Sequence, residues 1–282
     1  MDVPTLAGEL ARPGYPAILD LRWSLAGGAD RAAYDAGHLP GAVLLDLEEV
    51  FAAPPGAGGR HPLPDPGVLE SALRRAGVRA GQPVVVYEAG GGLPVGSAAR
   101  AWWVLRWAGL ADVRVLDGGY AAWVAAGQPV TTAAGQPVTA EAPDREPGDV
   151  TVQPGFMRTL NADGAAVAAT SGVLIDARVG PRFRGETEPL DAVAGHIPGA
   201  VNQPVAELVD ETGRFLEEDQ LRERFETLGV SEDRPVGAYC GSGITAAQTV
   251  LALTVAGFDP ALYVGSWSNW ITDRKREVAT GG

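Results

Sequence analysis

The sequence is poor in the residues from which disulfides and metal sites are built. Its 282 residues include one cysteine, Cys240, and three histidines that stand far apart. One cysteine cannot form an internal disulfide, and with three dispersed histidines it cannot complete the four ligands of a structural zinc site. We therefore expect no metal and no other cofactor, and Cys240 has no second thiol in the chain with which to react.

Positive charge and long apolar runs are also scarce. Lys and Arg total 22 against 35 Asp and Glu, so the formal net charge is −13. Such a chain lacks the basic field that phosphate backbones and anionic lipids attract, which argues against nucleic acid and membrane partners. The apolar stretch Val250–Gly257 is interrupted by Thr254 and is too short to span a bilayer. The first residues lack the pattern of a signal peptide, which predicts a cytoplasmic location.

What the sequence has instead is an internal repeat. The block GHLPGAV at Gly37–Val43 recurs as GHIPGAV at Gly195–Val201, and Asp20-Leu21-Arg22 recurs as Asp176-Ala177-Arg178. Three further pairs follow in the same order: Val85–Tyr87 with Gly237–Tyr239, Ala108-Gly109 with Ala256-Gly257, and Gly118 and Trp123 with Gly265 and Trp270. Five blocks in one order indicate a duplicated domain. We predict a first domain at 1–127, a Pro- and Gly-rich linker at 128–150 and a second domain at 151–282.

Within each copy, short β-branched runs alternate with longer helical patterns. In the second copy the pattern predicts, in order, a strand at Val173–Ile175, a helix at Glu218–Leu228, a strand at Val236–Tyr239, a helix at Thr245–Ala256 and a strand at Leu262–Val264. This alternation predicts an α/β fold whose sheets are mostly parallel and carry helices on both faces. Ligands of such sheets bind beyond the carboxyl ends of the strands, and Cys240 follows such an end.

The residues around Cys240 form a glycine-rich turn between a strand and a helix. The turn reads Cys240-Gly241-Ser242-Gly243-Ile244-Thr245. Two glycines let the backbone curl so that several N–H groups converge, and the helix N-terminus adds unpaired N–H groups and a partial positive charge. A thiolate or a persulfide anion at Cys240 would be stabilised there. The first copy reads Tyr87-Glu88-Ala89-Gly90 at the matching place, so it keeps the scaffold and lacks the sulfur.

Taken in order along the chain, these motifs resemble the rhodanese family of two-domain sulfurtransferases. The resemblance covers nearly the whole chain and includes both Asp-x-Arg pairs, both Gly-His blocks, Cys240–Ala246 and Gly265–Trp270. It implies tandem duplicated rhodanese-like domains, of which the first is inactive and the second catalytic. The six-residue active loop of the family corresponds to Cys240–Thr245. Its sequence is similar to the Cys-Gly-Ser-Gly-Val-Thr loop of 3-mercaptopyruvate sulfurtransferases, with Ile244 in place of valine.

The resemblance also implies roles for individual residues. Cys240 would carry the sulfur, Gly241, Gly243, Ile244 and Thr245 would line the donor site, and Ser242 would relay a proton. Arg182, in Pro181-Arg182-Phe183, would bind the donor carboxylate. A second family arginine is missing from 187–191, so Arg184 is a candidate replacement. In the first domain, Glu48 stands where the family has an aspartate that works with the serine, and Asp46, two residues earlier, is an alternative. His61 stands where the family has a histidine near the site, and it is a further candidate to assist Ser242.

Two kinds of donor and one non-enzymatic role remain open. The neutral Gly-Ser-Gly turn favours 3-mercaptopyruvate, a monoanion, over thiosulfate, a compact dianion that related enzymes meet with basic residues. The acceptor would be a small thiol, cyanide or a thioredoxin-like protein. A persulfide relay or redox-sensing module without its own donor would use the same cysteine. Phosphatase chemistry is disfavoured because Ala246 stands where a Cys-x5-Arg loop needs its arginine.

Several other polar residues are interpreted as structural. Each copy has a histidine in its Gly-His block, His38 in the first and His196 in the second. The copy without a cysteine keeps its histidine, which favours a scaffold role over acid–base chemistry. Both Asp-x-Arg pairs are duplicated in the same way and predict ion pairs at strand ends.

Overall fold

The structure, a computed structural model, describes residues 1–91, 96–132 and 146–282, and these form two compact units. The first unit comprises Met1–Ala53, Pro64–Phe156 and Glu211–Arg214, and the second comprises Pro54–Leu63, Met157–Asp210 and Phe215–Gly282. The segment Pro54–Leu63 therefore belongs to the second unit, although it stands within the first copy of the repeat. Residues 133–145 of the predicted linker lie outside the described residues.

The first unit is built on a parallel sheet whose strands run in the order β4-β1-β5-β6. Its strands are β1 (Ala17–Asp20), β2 (Trp23–Ser24), β3 (Gly28–Ala29), β4 (Val43–Leu44), β5 (Val84–Tyr87) and β6 (Val113–Val115). Its helices are α1 (Val3–Leu10), α2 (Arg31–Ala36), α3 (Leu47–Val50), α4 (Pro66–Arg75), α5 (Ser97–Trp107) and α6 (Gly119–Ala125). Strands β2 and β3 form a separate antiparallel pair.

The second unit repeats this plan with the strand order β7-β11-β10-β8-β9, again all parallel. Its strands are β7 (Thr159–Leu160), β8 (Val173–Asp176), β9 (Val201–Asn202), β10 (Val236–Tyr239) and β11 (Ala261–Tyr263). Its helices are α7 (Ala162–Ser171), α8 (Gly180–Phe183), α9 (Glu218–Thr227), α10 (Thr245–Val255) and α11 (Ser266–Trp270), with a 3₁₀ turn at Val205–Leu208. The predicted α/β class with parallel sheets is confirmed, and the predicted elements end within one residue of the observed ones.

The strands and helices follow from local sequence. The central strands β1, β5, β8 and β10 are short apolar runs that are buried along their whole length, as expected for parallel strands covered on both faces. Several helices begin at an acidic or amide cap: Asp2, Asp30, Asp46, Asp65 and Asn161 each accept a hydrogen bond from a backbone N–H of the first turn. None of the helices in the described ranges is long and apolar enough to cross a membrane.

A buried ion pair closes the end of a central strand in each unit. Asp20 receives three guanidinium contacts from Arg22 at 2.7–3.1 Å, and Asp176 receives the same set from Arg178 at 2.6–3.1 Å. Each arginine also donates to the carbonyl of the glycine that precedes the repeated histidine, Gly37 or Gly195. The predicted strand-end ion pairs are confirmed, and they fasten the Gly-His blocks to the sheets.

The repeated histidines occupy matching structural positions. His38 stacks on Tyr34 with ring centroids 3.9 Å apart, and His196 stacks on Phe183 at 3.7 Å. The Nδ1 of each ring lies 2.7–2.9 Å from a backbone carbonyl, which fixes the ring in place. This shared arrangement agrees with the scaffold role predicted for both residues.

Candidate functional site

Cys240 lies directly after β10, with its residue surface only 3% exposed. The sulfur accepts a hydrogen bond from the backbone N–H of Gly243 at 3.2 Å. Gly243 has φ 85°, a left-handed conformation that only glycine adopts without strain, and this curls the turn back toward the sulfur. Helix α10 begins two residues later at Thr245, so its positive end faces the same turn. An N–H donor and a helix N-terminus thus lie beside the sulfur, and the stabilisation of a thiolate or persulfide by them stays a prediction.

The residues after β11 are hydrogen-bonded to the turn. The backbone N–H of Cys240 donates to the Ser266 hydroxyl oxygen at 3.2 Å. The carbonyls of Cys240 and Gly241 accept from the backbone N–H groups of Trp267 and Ser268 at 3.0 and 2.9 Å. The turn is therefore fixed by three hydrogen bonds outside itself, and the sulfur is held in one place.

Ser242 is buried within this turn. Among the described residues its hydroxyl has no hydrogen-bond partner, which leaves the group able to donate to one ligand atom and accept from another. The neighbouring Ile244 is buried as well, and Thr245 is half-buried at the first position of α10. The roles predicted for the six loop residues stay predictions.

Arg182, the predicted carboxylate-binding residue, extends from α8 to the turn. Its Nη2 and Nη1 atoms lie 3.5 and 3.7 Å from the point where a Cβ at Gly241 would stand. Its Nε and Nη2 donate to Glu188 at 3.0 and 2.6 Å, and Nη2 also donates to Asp191 at 3.1 Å. Two carboxylates with buried side chains therefore hold the guanidinium through Nε and Nη2, and both Nη2 and Nη1 lie near the turn.

The charge state of Glu188 depends on these contacts. Burial by itself would raise the pKa of Glu188, but hydrogen bonds from Arg182 and from the backbone N–H groups of Leu190 and Asp191 outweigh burial and lower the pKa below its usual range. Glu188 is therefore ionised at neutral pH and keeps Arg182 in position.

A second guanidinium reaches the same glycine from the segment Pro54–Leu63. The Nη2 atom of Arg60 lies 2.7 Å from the point where a Cβ at Gly241 would stand, closer than any atom of Arg182. Its Nη1 forms an ion pair with Asp191. No role was predicted for Arg60, because its position in the first copy of the repeat gave no sign that its segment packs in the second unit.

Arg184, the other predicted carboxylate-binding residue, pairs with a neighbouring glutamate. Its side chain is exposed and donates to Glu186 at 2.7 and 3.0 Å. The three atoms closest to the Cβ point of Gly241 come from Arg60 and Arg182. The role suggested for Arg184 stays a prediction, and the contacts of the second unit favour Arg60 in its place.

The remaining two candidates are positioned as follows. Glu48 is exposed at the start of α3 in the first unit, and its backbone N–H donates to the cap residue Asp46 at 2.7 Å. One Asp46 carboxylate oxygen accepts the first backbone N–H groups of α3, and the other accepts the backbone N–H of Ala29. His61 is buried in the second unit beside Arg60. The assistance of Glu48 and His61 to Ser242 stays a prediction.

The first unit shows what the same turn does without a cysteine. Glu88 replaces Cys240, and its carboxylate lies 2.8 Å from the Ser97 hydroxyl oxygen and accepts the Ala98 N–H of α5 at 3.2 Å. Its carbonyl accepts from Tyr120 at 2.9 Å, as the Cys240 carbonyl accepts from Trp267. A carboxylate thus fills the place of the sulfur and satisfies the N-terminus of the helix internally.

Comparisons with known proteins agree with this geometry. The model of the rhodanese-like domain matches residues 3–126 and 160–273, so both units are recognised. The chain belongs to the rhodanese-like family.

Two relatives and one solved structure extend the comparison. A probable 3-mercaptopyruvate sulfurtransferase of Pseudomonas aeruginosa is 46% identical over 98% of this chain and 96% of its own length. A putative thiosulfate sulfurtransferase, SseB of Mycobacterium tuberculosis, is 44% identical over 98% of this chain and 95% of its own. The crystal structure of SseA, a 3-mercaptopyruvate sulfotransferase from Escherichia coli, superposes with a TM-score of 0.77 at 32% identity and covers 95% of this chain and 98% of its own. These names agree on the reaction class and differ on the donor, and the chain is a sulfurtransferase.

Proposed function

We propose that the chain transfers sulfur from 3-mercaptopyruvate to an acceptor through a persulfide on Cys240 and releases pyruvate. The observation that carries this proposal is the pairing of two features: a sulfur held by the Gly243 N–H, and an arginine, Arg182, beside the next residue, Gly241. A nucleophilic sulfur next to a carboxylate-binding cation suits a small donor that carries both a transferable sulfur and a carboxylate.

In the first half-reaction the Cys240 thiolate attacks the sulfur of the donor. A sulfur–sulfur bond forms, the carbon–sulfur bond breaks, and its electron pair leaves on carbon as the enolate of pyruvate. The thiol proton then passes from sulfur to the enolate, which leaves pyruvate and the Cys240 persulfide anion. Atoms and electrons balance without any external oxidant, because the carbon is reduced as the sulfur is oxidised.

Ser242 is the group proposed to carry that proton. Its hydroxyl is buried in the turn and has no partner among the described residues, so it can accept a proton from one sulfur while it donates to the enolate. Glu48 and His61 are proposed to assist it. Arg182 is proposed to bind the carboxylate, and the backbone of Gly241, Gly243, Ile244 and Thr245 to line the site.

In the second half-reaction the acceptor attacks the outer sulfur of the persulfide. Cyanide leaves as thiocyanate and a thiol leaves as its persulfide, and in both cases the Cys240 thiolate returns. The same turn stabilises the thiolate and the persulfide anion, which lowers the cost of each step. We propose small thiols, cyanide or a thioredoxin-like protein as acceptors, a cytoplasmic location, residues 151–282 as the catalytic domain and 1–127 as the inactive one.

Thiosulfate is the second candidate donor. It is supported by the name of the Mycobacterium tuberculosis relative and by the presence of more than one guanidinium near Gly241, which would also attract a dianion. Its leaving group is sulfite, which needs no proton, so Ser242 would have no chemical role. The neutral Gly-Ser-Gly sequence of the turn favours 3-mercaptopyruvate.

A donor screen tests the proposal. Wild-type protein is given 3-mercaptopyruvate or thiosulfate with cyanide as the common acceptor, and pyruvate, sulfite and thiocyanate are measured. We expect pyruvate release with a kcat/KM at least about tenfold above that for thiosulfate, and intact-mass analysis after donor alone should show one added sulfur that is absent in Cys240→Ser. Preference for thiosulfate would reject the donor, and a persulfide formed without turnover of either donor would favour a relay.

A further inference from the structure

The geometry points to Arg60 as a second donor-binding residue, one that grips the carboxylate of an α-keto acid together with Arg182. This inference rests on the proposed function, since it names how that site recognises its donor. Arg60 stands among first-domain residues in the sequence, 122 positions before Arg182, yet both side chains belong to the second unit.

The backbone around Arg60 is fixed close to the reactive turn. The N–H of Arg60 donates to the Ser268 hydroxyl oxygen at 3.0 Å, and the N–H of Ser268 donates to the carbonyl of Gly241 at 2.9 Å. The side chain of Asn269 donates to the Ala57 carbonyl at 2.7 Å, which fastens the same segment three residues earlier. One serine therefore joins the Arg60 backbone to the residue that follows Cys240.

The Arg60 side chain is held by an aspartate that it shares with Arg182. Arg60 Nη1 pairs with one carboxylate oxygen of Asp191, and Arg182 Nη2 pairs with the other at 3.1 Å. Asp191 is buried, with its side chain 3% exposed, and its negative charge offsets the repulsion between the two guanidinium groups. The two arginines are thus set side by side at a spacing that the aspartate determines.

Each arginine keeps donors that Asp191 does not use. Among the described residues, neither Arg60 Nη2 nor Arg182 Nη1 has a hydrogen-bond acceptor, and these atoms lie 2.7 and 3.7 Å from the same Cβ point at Gly241. Both atoms therefore lie close to the backbone of Gly241, which has no side chain to keep the guanidinium groups away from the turn. A planar carboxylate that approaches both atoms from the solvent would receive charge-assisted hydrogen bonds from both guanidinium groups.

The charge and the solvent exposure of the two arginines suit reversible binding of a small anion. The side chain of Arg60 is 27% exposed and that of Arg182 is 14% exposed, so both are reached from solvent, whereas Glu188 and Asp191 are buried behind them. The stretch 187–191, which lacks an arginine, supplies instead the carboxylates that orient arginines from two other segments. Arg60 therefore supplies a positive charge to this site from a distant part of the sequence.

Steady-state kinetics of the full chain with 3-mercaptopyruvate test this role. We expect Arg60→Gln to raise KM about tenfold or more while kcat changes by less than about threefold, because the interaction is made with the carboxylate, which does not react. Arg60→Lys keeps the positive charge but loses the forked guanidinium, so its KM should lie between that of Arg60→Gln and that of the wild type. Arg158→Gln is the matched control, since Arg158 belongs to the same unit and pairs with Asp259 at 2.8 Å on its exposed surface. An unchanged KM in Arg60→Gln would overturn the proposal, and a raised KM in Arg184→Gln alone would transfer the role to Arg184.

A second readout does not depend on the identity of the donor. Cys240 is the one cysteine of the chain, so its alkylation is followed without background. Iodoacetate carries a carboxylate and iodoacetamide does not. We expect the rate constant for iodoacetate divided by that for iodoacetamide to fall about fivefold or more in Arg60→Gln and to stay constant in Arg158→Gln.

The two readouts separate failure of this inference from failure of the proposed function. If wild type does not release pyruvate but the alkylation ratio falls in Arg60→Gln, the donor assignment fails and the anion-binding role of Arg60 stands. If pyruvate is released and neither KM nor the ratio changes in Arg60→Gln, the role of Arg60 fails and the proposed function stands. Loss of thermal stability in Arg60→Gln with an unchanged ratio would make Arg60 structural and reject the inference.

Discussion

The hydroxyl oxygen of Ser266 accepts the backbone N–H of Cys240 at 3.2 Å while Ser266 itself has φ 53°. In the described part of the chain no other residue except glycine has a positive φ. The first unit has Gly119 at the matching place, with φ 60°, before the N–H that binds the Glu88 carbonyl. The second unit thus keeps a side chain in a conformation that glycine adopts freely, and this side chain fixes the amide of the reactive cysteine.

Replacing Ser266 separates the strain from the hydrogen bond. Ser266→Ala keeps the strained φ and leaves the buried Cys240 N–H without an acceptor, so we expect the free energy of unfolding to fall by about 1–3 kcal/mol. Ser266→Gly loses the same hydrogen bond but relieves the strain, so it should be more stable than the alanine variant by about 1 kcal/mol. Equilibrium denaturation measures both values. Equal stabilities would show that the φ of Ser266 carries no cost, and unchanged turnover in both variants would show that the Cys240 amide needs no such anchor.

We expect replacement of Glu88 in the first unit to lower stability without changing catalysis. Glu88 caps α5 through the Ala98 N–H at 3.2 Å and lies 2.8 Å from the Ser97 hydroxyl oxygen. Glu88→Ala removes this cap, and we expect a loss of about 1 kcal/mol in the free energy of unfolding. Because Glu88 replaces the sulfur in the inactive copy, kcat and KM should not change. A fall in kcat without a fall in stability would mean that Glu88 itself takes part in the chemistry.

The sequence predicted much of this arrangement for identifiable reasons. The repeated blocks and the alternation of strands and helices predicted the duplicated α/β fold, and the glycine-rich turn after β10 predicted where Cys240 lies, because these signals are local. Arg60 and Asp191 were missed as site residues because their role depends on contacts between segments 131 positions apart. The strained φ of Ser266 was missed because a serine in a Gly-Ser-Trp segment carries no sign of its backbone conformation.

The environment of Arg182 changes what its replacement should do. Arg182 neutralises Glu188 and Asp191, whose side chains are 4% and 3% exposed. Arg182→Ala should therefore raise KM for 3-mercaptopyruvate and also destabilise the fold, by about 3 kcal/mol at neutral pH, because a buried carboxylate loses its partner. Arg178 and Arg60 still contact the two acids, which keeps the loss near the lower end of the usual range.

The stability loss in Arg182→Ala should depend on pH in one direction. Burial opposes ionisation of Glu188, but Arg182 and two backbone amides outweigh it and depress the pKa. A depressed carboxyl pKa contributes stability above its unfolded-state value and loses it as pH falls through the folded-state value. The difference in the free energy of unfolding between wild type and Arg182→Ala should therefore be largest at neutral pH and become smaller as the pH falls below about 4. Denaturation curves across this range measure the difference, and a gap that widened with acid would contradict the assignment of Glu188 as the ionised partner.

The two candidate donors differ in whether their leaving group must be protonated. The Ser242 hydroxyl is buried two residues from the sulfur and has no partner among the described residues. Pyruvate leaves as an enolate that must be protonated, whereas sulfite leaves thiosulfate without a proton. Ser242→Ala should therefore lower kcat for 3-mercaptopyruvate by roughly tenfold or more, about 1.4 kcal/mol in activation free energy, and change turnover of thiosulfate by less than about threefold. Both rates are measured with cyanide as the common acceptor, so the second half-reaction is the same in each. Ser242→Thr keeps the hydroxyl and serves as the control for turn shape. An equal loss with both donors in Ser242→Ala would mean that the serine shapes the turn around Cys240 and that another group protonates the enolate.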